Sequence, residues 1–216
     1  MPLTIALPKG RMADDALTWL ARAGWSPPVV EDDRRLVIPS EDGSLAYLLV
    51  KPMDAPVFVE QGAADIGIAG LDAVRERAAD VYEPMLLPFG HCRLSVAAPA
   101  NRPHRPLRLE ISPRVATKYP RLAEAYFRSR GVSAEFIYLS GSVELGPLVD
   151  MADLIVDIIQ TGSTLRANNL VELREIMPSQ AVLIVNRASY RLHADRIQPL
   201  LQSLRAVISQ PIENPW

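Results

Sequence analysis

The run Asp157-Ile158-Ile159-Gln160-Thr161-Gly162-Ser163-Thr164-Leu165 carries the densest chemistry in the chain. An apolar strand pattern ends there, a Thr-Gly-Ser-Thr turn follows, and a helix pattern begins. Backbone N–H groups at a helix start lack partners within the helix and favour an anion. Gly162 lets the backbone approach a guest closely, and the hydroxyls of Thr161, Ser163 and Thr164 add donors. The Gly-Lys-Ser/Thr ending of triphosphate-binding loops is missing, so a phosphate monoester is the expected guest. A plain N-cap with a glycine turn would have the same composition. Two carboxylates change the balance: Asp157, at the carboxyl end of the strand, and Glu144, near the start of the preceding helix. An acid beside a phosphate cradle repels its guest unless it serves another group. The hydroxyls of a ribose, or a magnesium ion, would be such a group. Glu144 could instead complement a helix terminus, whereas an unpartnered Asp157 in an apolar strand would be costly.

Composition narrows the classes. The chain has 216 residues, 49% apolar and 22% charged, typical of a globular protein able to bury a sizeable core in one domain or two small ones. A net charge of −2 argues against a nucleic-acid binder. One cysteine, Cys92, excludes an internal disulfide and fits a reducing cytoplasm. The start, MPLTIALPKGRMADD, lacks the basic segment and long apolar run of a signal peptide, and no window is apolar enough to span a membrane. Of 23 basic residues only three are lysines, Lys9, Lys51 and Lys118, so each lysine position draws notice.

The elements that must position these groups alternate. Strand patterns are expected at 3–7, 36–38, 46–50, 66–69, 81–89, 93–98, 107–111, 136–139, 154–159 and 181–185, with Asp42-Gly43 turning the second into the third. Helical patterns are expected after Arg11 to Gly24, from Asp54 to Gly62, from Asp72 to about Ala79, from Pro120 to before Gly131, from Ser142 to about Met151, from Ser163 to about Met177, and over 193–208 around Pro199. The alternation predicts an α/β fold with parallel sheets built from βαβ units. PANRPHRP at 99–106 reads as a loop near a domain junction. The last residues, QPIENPW, read as a poorly ordered tail.

Taken together, the motifs resemble the ATP phosphoribosyltransferase family. The resemblance rests on GSVELGPLVDMADLIVDIIQTGSTLRANNL at 141–170, the opening LPKGRM, VKPMDAPVFVEQGAADIGIAGLDAV at 50–74, GHCRLSVA and ATKYP, in the family's order. It implies two α/β lobes like those of type II periplasmic binding proteins, residues 1–90 plus 178–216 and residues 91–177, with the active site in the cleft between them. It also implies the first step of histidine biosynthesis, in which the phosphoribosyl group of phosphoribosyl pyrophosphate (PRPP) joins ring nitrogen 1 of ATP and pyrophosphate leaves. Carried over by matching positions, Thr161, Gly162, Ser163 and Thr164 would hold the 5-phosphate of PRPP, and Glu144 and Asp157 its ribose hydroxyls. Lys9 and Arg11 would face pyrophosphate or the ATP phosphates, and Arg34, Arg35, Lys51 and Asp72 would belong to a shared ATP and pyrophosphate region, with Lys9, Arg11 and Lys51 stabilising charge on the leaving pyrophosphate. Mg2+ would arrive on PRPP, with no metal ligand assigned to the protein. The short length resembles the family's short form, which lacks the C-terminal regulatory domain. That form implies a homo-oligomer and a hetero-oligomer with a regulatory subunit related to histidyl-tRNA synthetase. Two positions depart from the pattern: Lys51 stands where arginine is frequent, giving a point charge without a fork, and Leu71 stands where a charged residue is common.

The implied chemistry uses a neutral nucleophile and a sugar carbon that turns positive, so it calls for positioning and charge stabilisation rather than a covalent nucleophile. His91, His104 and His193 have no metal-ligand spacing. Cys92, Trp19 and Trp25 read as packing residues, Arg75-Glu76-Arg77 as a solvated helix face, and Trp216 has no reading. Three alternatives stay open: a solute receptor of the same fold, a phosphoribosyltransferase acting on another base, and a subunit inactive without its partner.

Overall fold

The computed structural model describes residues 2–29, 35–101 and 111–209. Arg34, His104, Trp216 and most of the expected strand at 107–111 lie outside the described residues. The described elements are β1 (Leu3–Pro8), α1 (Arg11–Arg22), β2 (Val37–Pro39), β3 (Leu45–Val50), α2 (Ala55–Glu60), β4 (Ile66–Gly70), α3 (Leu71–Arg77), β5 (Tyr82–Leu86) and β6 (Cys92–Pro99). There follow β7 (Arg114–Thr117), α4 (Pro120–Ser129), β8 (Glu135–Tyr138), α5 (Leu145–Leu148), β9 (Leu154–Ile159), α6 (Ser163–Ala167), β10 (Leu170–Ser179), β11 (Ala181–Val185), α7 (Ser189–Leu192) and α8 (Ala194–Ile208). They form two compact units, Met1–Gly90 with Gln180–Trp216, and His91–Ser179.

The first unit holds a six-stranded sheet in the order β2-β3-β1-β4-β11-β5. Its centre is buried on both faces. Leu3, Ile5 and Leu7 of β1 and Leu183 and Val185 of β11 pack with Ala16, Trp19 and Leu20 of α1 and with Ile197, Leu200 and Leu204 of α8. The alternate residues, Ala6, Val182 and Ile184, pack on the other face with Val59 of α2 and Val74 of α3. This two-sided burial explains why the strands read as continuous apolar runs. Helix α1 closes where the sequence puts glycine. Gly24, at φ 85, donates to the Ala21 carbonyl, and Trp25 N–H reaches Leu20 at 3.0 Å. Trp25 then donates from its indole to Ser203 Oγ at 2.8 Å.

The second unit holds a five-stranded sheet in the order β10-β6-β9-β7-β8. Ala97, Ala116, Ile155 and Ile159 from one face pack with Val143, Ala152, Leu165 and Leu170.

Both sheets are mixed, which corrects the expectation of parallel sheets. β1 runs parallel to β3 and β4, while β11 is antiparallel to both β4 and β5. β7 runs parallel to β8 and β9, while β6 is antiparallel to β9 and β10. A second correction falls on residues 163–177. The helix stops at Ala167, where Asn168 and Asn169 intervene, Asn169 at φ 54. Asparagine tolerates this left-handed backbone, and the next ten residues form β10 instead. The expected helix over 142–151 is likewise only four residues, α5.

Candidate active site

Each unit collects its polar residues at the carboxyl ends of parallel strands, where ligands of open α/β sheets bind. In the first unit β3, β1 and β4 lie side by side, and Pro8 of β1 pairs with Val50 of β3. Lys9 and Lys51 are therefore the next residues out on two adjacent strands, and Lys9 N–H donates to the Val50 carbonyl at 2.9 Å. Both are exposed, as is Arg11, the first residue of α1. Gly10 makes this tight strand-to-helix junction at φ 93. Asp72 follows the third strand, in the first turn of α3, and is buried at 4% exposure. Gly70 leaves room for it, because a β-carbon there would fall 2.4 Å from Asp72 Oδ1. Strand β2 runs antiparallel with Val37 opposite Leu48. Leu49 N–H donates to the Leu36 carbonyl, so exposed Arg35 comes to this same end of the sheet.

The second unit repeats the layout with different chemistry. Its parallel strands β9, β7 and β8 lead into the 161–164 loop, Lys118 and the segment bearing Glu144. Gly162 is left-handed at φ 73. The Thr161 and Ser163 hydroxyls lie 3.0 Å apart. Arg166 Nη1 donates to the Thr161 carbonyl at 3.2 Å, and Asn168 Nδ2 donates to the Thr164 carbonyl at 2.9 Å. Thr161, Ser163 and Thr164 are exposed. The loop thus has exposed hydroxyl-bearing residues, and the carbonyls of Thr161 and Thr164 accept bonds from Arg166 and Asn168.

Asp157 is the fourth residue of β9, with a side chain 17% exposed. Its Oδ1 accepts from Ile158 N–H at 2.8 Å and lies 3.3 Å from Lys118 Nζ. Burial pushes the Asp157 carboxyl above the ordinary aspartate range, the Lys118 charge and the Ile158 N–H pull it down, and the Glu144 charge pushes it up again. Across the sheet, Ser95 of β6 stands opposite Asp157. Its hydroxyl donates to Glu172 Oε1 at 2.8 Å, and Glu172 also accepts two bonds from Arg93, at 2.7 and 2.6 Å. That fork holds the Glu172 carboxyl below its usual range.

The structure therefore brings Glu144, Asp157, Thr161, Gly162, Ser163 and Thr164 to one edge of the second unit. It brings Lys9, Arg11, Arg35, Lys51 and Asp72 to one edge of the first. Arg34 lies outside the described residues. Sequence reading missed Lys118, Arg166 and the Ser95–Glu172–Arg93 set. The rarity of lysine and the ATKYP motif both pointed to Lys118; the Ser95–Glu172–Arg93 set depends on pairing between distant strands. Among the described residues no group of three or more His, Cys, Asp or Glu side chains could hold a metal ion. Nor is any helix among them long and apolar enough to cross a membrane.

The chain is similar to known proteins along nearly its whole length. A family model described as HisG, ATP phosphoribosyltransferase, matches residues 51–206. An ATP phosphoribosyltransferase of Sorangium cellulosum is 52% identical over 206 residues, covering 95% of each chain. One of Geobacillus kaustophilus is 49% identical, covering 97% of this chain and all of the relative. Among solved structures, a chain of the ATP phosphoribosyl transferase (HisG:HisZ) complex from Thermotoga maritima aligns with a TM-score of 0.82 at 34% identity, covering 95% and 98% of the two chains. A substrate binding protein of an amino acid ABC transporter aligns with a TM-score of 0.62 at 14% identity, covering 96% and 92%, which speaks for the two-lobed fold alone. Strand-end chemistry, fold and near-complete identity-bearing alignments agree: the chain belongs to the ATP phosphoribosyltransferase family.

Proposed function

We propose that the chain carries out its family's reaction, the transfer of the phosphoribosyl group of PRPP to ring nitrogen 1 of ATP, with the work divided between its two strand-end clusters. This is the opening step of histidine biosynthesis. The observation that supports the division most is the 161–164 loop with Asp157 behind it. Three exposed hydroxyl-bearing residues at a helix start suit the 5-phosphate of PRPP, and a left-handed Gly162 lets the backbone come close. Asp157 and Glu144 accept from the ribose hydroxyls, and their negative charge favours the sugar carbon as it turns positive. Lys9, Arg11 and Lys51 stabilise the charge that develops on departing pyrophosphate. Asp72, Arg34 and Arg35 take ATP. The nucleophilic ring nitrogen is neutral, so no side chain has to form a covalent bond to the sugar; orientation supplies the rate.

Magnesium would arrive on the diphosphate of PRPP, where it would neutralise charge. The similar Thermotoga complex contains a HisZ partner, which supports a hetero-oligomer of this chain with a HisZ-like subunit related to histidyl-tRNA synthetase, alongside a homo-oligomer. The cytoplasm, home of soluble nucleotide pools, is the expected compartment. An absorbance assay for the N1-substituted adenine tests the reading. Turnover of ATP and PRPP by the chain, alone or with such a subunit, is expected; absence of product in both arms overturns it. Light scattering on the chain alone and in the mixture reads the assemblies. Histidine inhibition is expected only in the mixture.

A further inference from the structure

We propose that Lys118 is a positioning residue for the transfer: its ammonium, held between the Asp157 carboxylate and the Tyr119 ring, fixes Asp157 in place for the ribose. The inference rests on the reading of Asp157 given above. The geometry begins with a pinned backbone. Thr117, fully buried, donates from its hydroxyl to the Val156 carbonyl of β9 at 2.7 Å, and the same oxygen accepts from Tyr119 N–H at 2.8 Å. Lys118 is thus bracketed by Thr117, which ties the end of β7 to β9, and Tyr119, whose N–H bonds back to the same Thr117 hydroxyl. It lies two residues beyond Ala116, hence on the sheet face that carries Asp157. Its Nζ is 3.3 Å from Asp157 Oδ1 and 5.3 Å from the centroid of the Tyr119 ring. A compact ammonium with several donor directions can hold one carboxylate oxygen and leave the other to a ligand.

The surroundings make Lys118 the cation that matters here. From the segment before α5, Glu144 adds negative charge. From β6, Ser95 faces Asp157 but gives its hydrogen to Glu172. Arg93 of β6 is engaged by both oxygens of Glu172, and Glu175 of β10 stands opposite Ser95. Burial and Glu144 therefore both disfavour the Asp157 anion, while Lys118 opposes them. Without Lys118, Asp157 would hold its proton to higher pH and lose its fixed direction.

The test uses the full chain under conditions in which the wild type turns over, with Lys118→Gln, Lys118→Met and Lys118→Arg. The glutamine variant keeps a polar tip and serves if the methionine variant fails to fold. For the neutral variants, kcat/KM for PRPP is expected to fall on the order of 100-fold and its acid limb to move to higher pH, with KM for ATP little changed. The Asp157 carboxyl carbon signal, followed by NMR, should titrate at correspondingly higher pH. Lys118→Arg should return the acid limb and the carbon titration toward wild type. In an Asp157→Asn background, Lys118→Gln should add little further loss. An unmoved carbon titration, an unmoved acid limb, or full additivity overturns the role of Lys118. Full activity in Asp157→Asn alone would instead overturn the reading of Asp157, so the two failures are distinguishable.

Discussion

The two glycine junctions of the molecule share a positive φ but differ in ψ, −163 at Gly10 and 8 at Gly162, and in what they offer a ligand. Gly10 follows β1 and opens α1 at φ 93; Gly162 follows β9 and opens α6 at φ 73. Neither helix start has a side-chain cap hydrogen bond. The first junction is flanked by Lys9 and Arg11, with Lys51 on the adjacent strand. The second has hydroxyls on either side and an acid behind. A long amphipathic helix, buried through Ala13, Ala16, Trp19 and Leu20, anchors the first. The second leads to a five-residue helix with only Leu165 buried, and it is braced by Arg166 and Asn168 instead. Net positive charge suits a highly charged leaving group wherever it sits along the cations' reach. Neutral donors suit a phosphate that must be held in one pose, because a hydrogen bond fixes direction where a bare charge does not.

Substitutions at four positions would sharpen or break that contrast. Gly162→Val should have the largest effect. It puts a β-branched residue at positive φ, costing about 1–2 kcal/mol locally, and its Cβ would sit 3.3 Å from Arg166 Nη1. Calorimetry should detect no PRPP binding; intact binding would remove the loop from the site. Asp157→Asn comes next, with an expected loss of about 100- to 1,000-fold in kcat. Its stability should move the other way. The folded-state value of the Asp157 carboxyl is raised, chiefly by burial, so stability falls as pH climbs from the unfolded carboxyl range through that raised value. At neutral pH the buried anion is a cost that asparagine removes. Thermal melts at pH 7 should place Tm at or above wild type, with the gap closing in acid; a large drop would make Asp157 a structural residue.

Lys51→Ala should raise KM for PRPP by about 10- to 100-fold, the scale of a lost charge-assisted hydrogen bond. Lys51→Arg should keep or improve binding by adding a fork. Equal losses in both would mean that shape rather than charge matters there. Gly10→Ala should be mildest. A β-carbon meets nothing within 4 Å, leaving a backbone penalty of about 1–3 kcal/mol, because φ 93 with ψ −163 is essentially a glycine-only region, and a Tm lower by a few degrees. Strong loss of activity with so small a shift in Tm would show that this junction too holds its ligand through backbone.

Much of this was legible in the sequence, and the reason is locality. The Thr-Gly-Ser-Thr loop, the acid four residues before it, and the glycine stops of α1 and α4 are short-range features whose residue types state their own purpose. The Asp42-Gly43 hairpin signal is equally local, and β2 does pair antiparallel with β3. What escaped depends on partners far along the chain. The direction of β6, β10 and β11 is decided by pairings across the sheet, and nothing in their own residues distinguishes parallel from antiparallel. The helix expected over 163–177 stops at Ala167. The decisive feature was Asn169 at φ 54. Lys118 stood out by rarity and by its place in ATKYP, but its role did not, because its partner lies 39 positions away in sequence.

Strand β11 sits in the interior of the first sheet, between β4 and β5, yet it is built from residues 181–185. A ribosome therefore delivers every strand of the second unit before it delivers the one that joins β5 to the rest of the first. During synthesis, His91–Ser179 has all it needs to close its own sheet while the exposed edge of β4 still waits for a neighbour. The protein's opening residues are thus among the last to reach their finished surroundings, and any pause in translation before Gln180 would leave that edge open to other chains.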